Sequence, residues 1–363
     1  MGRWDKRADM VVHGVEPYNA EPPRRALADQ VLTPLAAFYS RNHGPIPHLD
    51  AGTWRLRVDG LVERTLSLSL ADLQERFAPR TLVATLQCAG NRRAGLIKVR
   101  AIPGEDPWGS GATSTAQWTG AALADVLASA GIAPQAQHVS FIGPDVSQLA
   151  DPAQAYGGSI GVAKGLAGDV ILAWSMNGEP LPVAHGAPVR VVVPGYIGAR
   201  SVKWVQRITA QAEPSDNYFQ RVAYRLPAPG SDATALAAGE GLSLGPVALN
   251  SDILRPDDGM TVPAGPTQVH GYAFTGDQRG VARVEVSSDG GRTWVDAELD
   301  EPLSPWSWRL WSATLDLPAG DVAVTVRAWD TTGATQPASP AQVWNPKGYV
   351  NNSCAQVRLN VAD

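Results

Sequence analysis

Thr85-Leu-Gln-Cys-Ala-Gly-Asn-Arg-Arg93 places one of the chain's two cysteines just after a predicted strand, in a turn that carries two guanidinium groups. A thiolate is a soft, strongly donating ligand suited to transition metals. Neighbouring arginines lower a thiol's pKa and so favour the thiolate that ligation and nucleophilic attack both require. Cys88 is therefore a candidate for an anion-handling centre. The competing reading is a buried apolar cysteine near a solvated arginine pair, because free cysteine packs like a small hydrophobe.

Around this turn the chain runs to 363 residues, which most naturally makes two domains. A composition of 44% hydrophobic and 18% charged residues is ordinary for a soluble globular protein. The net charge of -5 and the pI near 5.7 give no electrostatic reason to expect binding to nucleic acid or to an anionic membrane. An anion pocket must then be a local concentration of basic residues. Cys88 and Cys354 alone exclude a multi-disulfide framework, and their places in different predicted domains argue against a mutual bridge. Two cysteines cannot furnish a structural zinc set or a Cys-ligated iron–sulfur cluster. No C-x-x-C-H is present, so no covalent c-type haem is expected in this chain. Walker A, G-x-G-x-x-G and H-E-x-x-H motifs are missing too.

No apolar run approaches the roughly 18 residues of a membrane span, so no membrane insertion is expected. The N-terminus lacks a signal-peptide core and a twin-arginine pair, and Val361-Ala-Asp363 is not a peroxisomal address. The expected location is cytoplasmic, or periplasmic if an export signal has been removed.

Residues 1–45 are rich in proline and charge and read as an arm that packs on the body. Residues 46–225 mix strand and helix signals without regular βαβ alternation, which favours an α+β domain. Thr53 to Leu61 alternates around Trp54, Leu56 and Val58 as a half-buried strand does. Ser69 is placed to cap a short helix running to Phe77. Leu123, Val126, Leu127 and Ala130 recur at helical spacing, and Gly131 is placed to end that helix. Val189 to Val193 reads as a buried strand. Residues 226–245 thin to Pro, Ala, Gly and Ser, the composition of a linker. From 246 to 363 helix signals vanish. Val281 to Val286 and Thr293 to Ala297 flank a glycine turn as a hairpin, and Val322, Val324 and Val326 alternate with smaller or polar neighbours. Short strands at close spacing argue an immunoglobulin-like β-sandwich.

Together with Arg41-Asn-His-Gly-Pro-Ile-Pro47, Tyr18-Asn-Ala-Glu-Pro-Pro-Arg24 and the basic segment from His185 to Trp204, the Cys88 motif resembles the sulfite oxidase family of molybdenum enzymes, in its haem-free plant-type form. The resemblance runs from about Tyr18 to the C-terminus. It implies a molybdopterin-binding domain over 46–225 and a dimerisation domain over 246–363, hence a homodimer. It implies molybdenum bound by molybdopterin and by one protein thiolate, matched here by Cys88. Sulfite would be oxidised to sulfate, and the electrons would pass to an external acceptor, whether a cytochrome, another carrier or dioxygen. Arg41 and Arg93 match the family's substrate-pocket arginines, whose planar forks suit oxyanions. Tyr224 matches its pocket tyrosine and Trp108 a pocket-wall tryptophan. His185, Arg190, Arg200, Ser201 and Lys203 resemble the pterin-phosphate site, and His43 and Asp145 match further pterin contacts.

Two departures bear on the substrate. Trp344-Asn-Pro-Lys-Gly348 stands where the family usually has Trp-Asn-Leu-Arg-Gly, so Lys347 replaces the third pocket arginine. Ser215-Asp-Asn-Tyr218 and Gly348-Tyr-Val-Asn-Asn352 look more like assimilatory nitrate reductases, which lack the pocket tyrosine. The rival readings are thus reduction of nitrate or another oxo-anion at the same metal, and a non-enzymatic two-domain interaction protein with a vestigial site.

Overall fold

The computed structural model describes residues 3–228, 231, 233–276 and 278–363. Two five-stranded sheets form the first domain. One runs Glu179–Pro180, Ile171–Met176, Thr113–Ala122, Pro79–Gln87, with Arg190–Val192 also antiparallel to Ile171–Met176. The other runs Leu66–Leu68, Leu56–Gly60, Arg207–Gln211, His138–Ser147, Gln154–Gly161, and its one parallel pair joins Arg207–Gln211 to Leu56–Gly60. Nine ladder partners between Pro79–Gln87 and Thr113–Ala122 carry the first of these strands straight to Cys88. Mixed pairing and short helices give the expected α+β domain.

Helix positions follow local chemistry. Ser69 and Asp72 form a reciprocal capping box on Leu70–Arg76, which ends before Phe77. Leu123–Ala130 buries Leu123, Val126, Leu127 and Ala130 on one face, and Gly131 closes it in the left-handed conformation.

The N-terminal arm is fastened to the body rather than laid loosely over it. Tyr18–Glu21 is buried throughout and pairs with Val11–Val15. The Glu21 carboxylate accepts from the backbone N–H of Gly109 at 2.6 Å and of Gly111 at 2.7 Å, and His13 Nε2 lies 2.8 Å from it. The expected linker has structure of its own. Arg225–Leu226 pairs with Leu242–Ser243, and Ala233–Ala237 is a short helix; residues 229, 230 and 232 lie outside the described residues.

Beyond it two sheets pack face to face. The first runs Asn250–Arg255, Gly265–Phe274, Arg309–Leu317, Glu298–Leu299; the second runs Thr261–Pro263, Ala355–Ala362, Gly320–Asp330, Val281–Ser287, Val295–Asp296. Ala355–Ala362 alternates buried and exposed along its whole length, as a strand with one wet face must. Val269, Val284, Val286, Val324, Val326 and Val357 fill the space between the sheets. This is the sandwich that the alternating valines predict.

Candidate active site

Strand Pro79–Gln87 delivers Cys88 into a tight turn. Asn91 N–H donates to Cys88 O at 3.0 Å, Arg93 N–H donates to Gly90 O at 3.0 Å, and Arg92 takes a left-handed φ of 63°. A side chain at position 90 would put its Cβ 2.5 Å from Arg93 Nη2, so any larger residue there would push that guanidinium aside. The two arginines of the turn then part. Arg92 donates to Ser251 O at 3.1 Å and Ser353 O at 2.9 Å, and lies 3.5 Å from Asp252. Arg93 donates to Lys347 O at 3.1 Å and Asp106 O at 2.9 Å, and its Nη2 lies 3.3 Å from Glu105. Both therefore bind the turn to other parts of the protein, largely to the sandwich.

The Cys88 thiol is buried and accepts from Gly90 N–H at 3.4 Å. Burial pushes its pKa up; Arg41, Arg93 and the Gly90 N–H pull the other way and lose. Of the Arg92–Arg93 pair, Arg93 is among the charges that pull the thiol down, Arg41 acting with it, and desolvation outweighs them, contrary to the expectation from sequence. Coordination to a metal deprotonates a thiol outright.

One cavity collects most of the expected residues. Cys88, Arg41, His43, Asp145, His185, Arg190, Ser201, Lys203 and Tyr224 all line it. Arg190 is buried and donates to His185 O and Ser201 O, each at 3.0 Å; burial lowers its pKa to about 10. Lys203 Nζ contacts Asn42 Oδ1 and donates to Ala184 O at 3.2 Å. Burial, reinforced by Arg190, holds its ammonium well below the ordinary lysine range. Asp145 is the acid among the lining residues, pushed up to about 7 by burial against the pull of Lys203, and its Oδ1 has no hydrogen-bond partner. His185 Nε2 lies 2.6 Å from Lys6 Nζ, which reaches in from the arm and also donates to Leu35 O and Phe38 O.

A second cavity of about 660 Å³ adjoins the first and shares Arg41, His43 and Tyr224 with it. Glu105, Asp106, Lys347 and Tyr349 line it as well. His43 Nε2 and the Tyr224 hydroxyl lie 2.6 Å apart, and the imidazole stacks on Tyr156 at 4.3 Å. Burial, with the Cys88 and Glu105 charges adding, keeps the Tyr224 phenol far above its ordinary pKa despite Arg41. Burial and the nearby Arg41 likewise keep His43 neutral. The pair is a neutral hydroxyl and a neutral imidazole sharing one proton position.

Three expected residues stand off the cavity walls. Arg200 spends its guanidinium on Leu244 O at 3.0 Å, Phe219 O at 3.3 Å and Ser243 Oγ at 3.1 Å. Trp108 is fully buried in the apolar cluster that holds Cys88, against His13 at 4.6 Å, so it backs the wall without forming it. Arg93 lies behind Glu105 and Lys347. Sequence reasoning missed Tyr39, Asn42, Tyr156, Glu105 and Tyr349, all of which line one cavity or the other. Tyr39 and Asn42 flank Arg41 in the chain and Tyr349 lies within the Gly348–Asn352 motif, so all three were within reach; Tyr156 and Glu105 converge from distant segments and carry no local signal.

Residues 43–219 match the family model described as "Oxidoreductase molybdopterin binding domain", and residues 245–362 match "Mo-co oxidoreductase dimerisation domain". The chain is 43% identical to the sulfite oxidase of Gallus gallus, covering 94% of this chain and 76% of that protein. It is 36% identical to the sulfite oxidase of Arabidopsis thaliana, covering 98% and 95%. It spans 62–66% of the length of five further animal sulfite oxidases. The nitrate reductase of Hordeum vulgare is 38% identical over 99% of this chain, which spans 43% of that protein. The crystal structure of the sulfane dehydrogenase SoxCD from Paracoccus pantotrophus superposes with a TM-score of 0.82 at 26% identity, covering 97% of this chain and 89% of that one.

The cavity fits the molybdenum cofactor of such a domain. Arg41, Arg190 and Lys203 face it with Asp145 as the acid on the wall, an excess of positive charge that an anionic, phosphate-bearing pterin would balance. Asp145 Oδ1 is an orphaned acceptor for a pterin N–H. Cys88 supplies a soft donor at the same cavity.

Proposed function

The chain belongs to the sulfite oxidase family of molybdopterin oxidoreductases, and on that premise we propose that it oxidises sulfite to sulfate as a homodimer. Sulfite and water give sulfate, two protons and two electrons, and the electrons leave to an external acceptor. When bound, the molybdenum held by molybdopterin and the Cys88 thiolate supplies the oxygen-atom transfer and takes up both electrons. His43, Asp145, His185, Arg190, Ser201 and Lys203 are assigned to the pterin and its phosphate. Arg200 would act one step removed, bracing Phe219 and Leu244.

The protein's own part is to bind, orient and neutralise. Arg41 stands where the two cavities meet and offers charge-assisted donors to an oxyanion. Tyr224, at the same place, offers a hydroxyl when His43 Nε2 carries its own proton and donates to the phenol oxygen. Lys347 supplies further positive charge from the sandwich side, Arg93 acts through Lys347 and Glu105, and Trp108 packs the wall behind Cys88. The reading is haem-free and leaves the acceptor as a separate cytochrome, another carrier or dioxygen. That part of the reading follows the resemblance to haem-free plant-type members, the missing C-x-x-C-H motif speaking only to covalent haem.

The observation that carries this reading is the excess of cations on a cavity that also holds Cys88 and Tyr224. Reduction of nitrate at the same centre is the second reading, favoured by the barley relative and by Asn351 and Asn352, and disfavoured by Tyr224. Steady-state turnover of sulfite and of nitrate with several acceptors, on molybdenum-replete protein, separates the two. Sulfite turnover well above nitrate turnover is the expected result.

A further inference from the structure

A carboxylate, that of Glu105, lines the second cavity beside the cations that an anion there would meet. Glu105 Oε1 lies 3.4 Å from Lys347 Nζ, and Glu105 Oε2 lies 3.3 Å from Arg93 Nη2. Arg93 also donates from Nε to Lys347 O and from Nη1 to Asp106 O, so each of its three nitrogens has a partner within the protein. The Lys347 and Glu105 side chains are 28% and 20% exposed, and both line the cavity that also holds Arg41 and Tyr224. The two cations nearest the sandwich side thus already have an anionic partner. Gly348 holds that arrangement in place: its φ is +59°, and a Cβ there would lie 2.5 Å from Arg93 Cγ.

We propose that Glu105 acts as a built-in competitor for the oxyanion at Lys347. Two anions cannot share one ammonium at close range without repulsion, so an entering anion must displace the Glu105 carboxylate from Lys347 or bind without that cation. The cost falls on every anion that enters, and most heavily on a dianion such as sulfate. Glu105 therefore weakens binding of substrate and product together and hastens product release. The inference rests on reading the cavity as an oxyanion site.

Glu105→Gln keeps the shape and removes the charge, whereas Glu105→Asp keeps the charge. Sulfate binding to the cofactor-loaded proteins is measured by calorimetry, and sulfite kinetics alongside. Glu105→Gln should bind sulfate about three- to tenfold more tightly and lower the sulfite KM in parallel, as expected for removing a partly exposed ion pair's repulsion, with kcat changed less. Glu105→Asp should stay near the wild type in sulfate affinity. If Glu105→Gln binds sulfate no better, or more weakly, Glu105 serves only to hold Arg93 and Lys347, and the proposal is overturned. Wild-type protein that does not turn over sulfite overturns the oxyanion reading, and the proposal with it. A wild type that turns over sulfite beside an unresponsive Glu105→Gln overturns the proposal alone.

Discussion

Arg92 and Arg93 are neighbours with separate work, and neither offers a free guanidinium to a ligand. Sequence made Arg93 a substrate contact on the strength of its motif. In the structure its donors go to Lys347 O, Asp106 O and Glu105, so it acts on the cavity through the residues it holds. Cys88 shows the same limit. A motif announces which charges are near a thiol, but the balance against burial needs the fold, and burial wins here. Lys347 is the replacement that chemistry can weigh most directly. An ammonium keeps the charge of the family's arginine and loses its planar two-pronged geometry. Lys347→Arg should therefore lower the sulfite KM several-fold, a gain of roughly 1 kcal/mol, with a smaller effect on kcat. The gain should be larger in a Glu105→Gln background, because the two side chains touch and their effects should not simply add. Sulfite kinetics of both single variants and the double variant check this. Unchanged sulfite kinetics in Lys347→Arg, with altered nitrate reduction, would point to the wrong substrate.

Elements with local signals were legible. The Ser69 capping box and the helix Leu123–Ala130 each rest on residues within one or two turns of each other, so spacing alone places them. The arm was not legible, because what fixes it comes from far away: Glu21 caps the backbone of Gly109 and Gly111, and Lys6 reaches His185 across 179 positions of sequence. Tyr156 and Glu105 escaped for the same reason. The arm also gives a pH test. Burial lowers the Lys6 pKa from 10.5 to about 7, the nearby Asp5 charge opposing. Folding thus disfavours the charged form; the cost is full below about 7 and fades as the pH climbs toward 10.5. Wild-type stability should accordingly rise between pH 7 and 10 relative to Lys6→Met, by at most about 1.4 kcal/mol per pH unit. Urea unfolding of both proteins across that range checks it, and parallel pH profiles would contradict it.

At the scale of the whole molecule, the Cys88 turn is one of the places where the two domains meet. Arg92 reaches Ser251 and Ser353 of the sandwich, Asn351 donates back to Arg92 O at 2.8 Å, and Lys347 brings the sandwich into the second cavity. That a β-sandwich follows an α+β domain was readable from the loss of helix signals and the alternating valines. How the domains meet was not, because those contacts link residues more than 150 positions apart. The sandwich matches a dimerisation domain, and a dimer at micromolar concentration is the expected result of light scattering; a monomer there would remove the assigned assembly. The central claim is that Cys88 holds a molybdenum centre that oxidises sulfite. Sulfite turnover by the Cys88→Ser variant, with molybdenum content measured on the same sample, tests it most directly. A hydroxyl is a harder and poorer donor than a thiolate, so turnover should be abolished while the protein remains folded and the wild type stays active. Wild-type turnover in Cys88→Ser with molybdenum still bound would contradict the account.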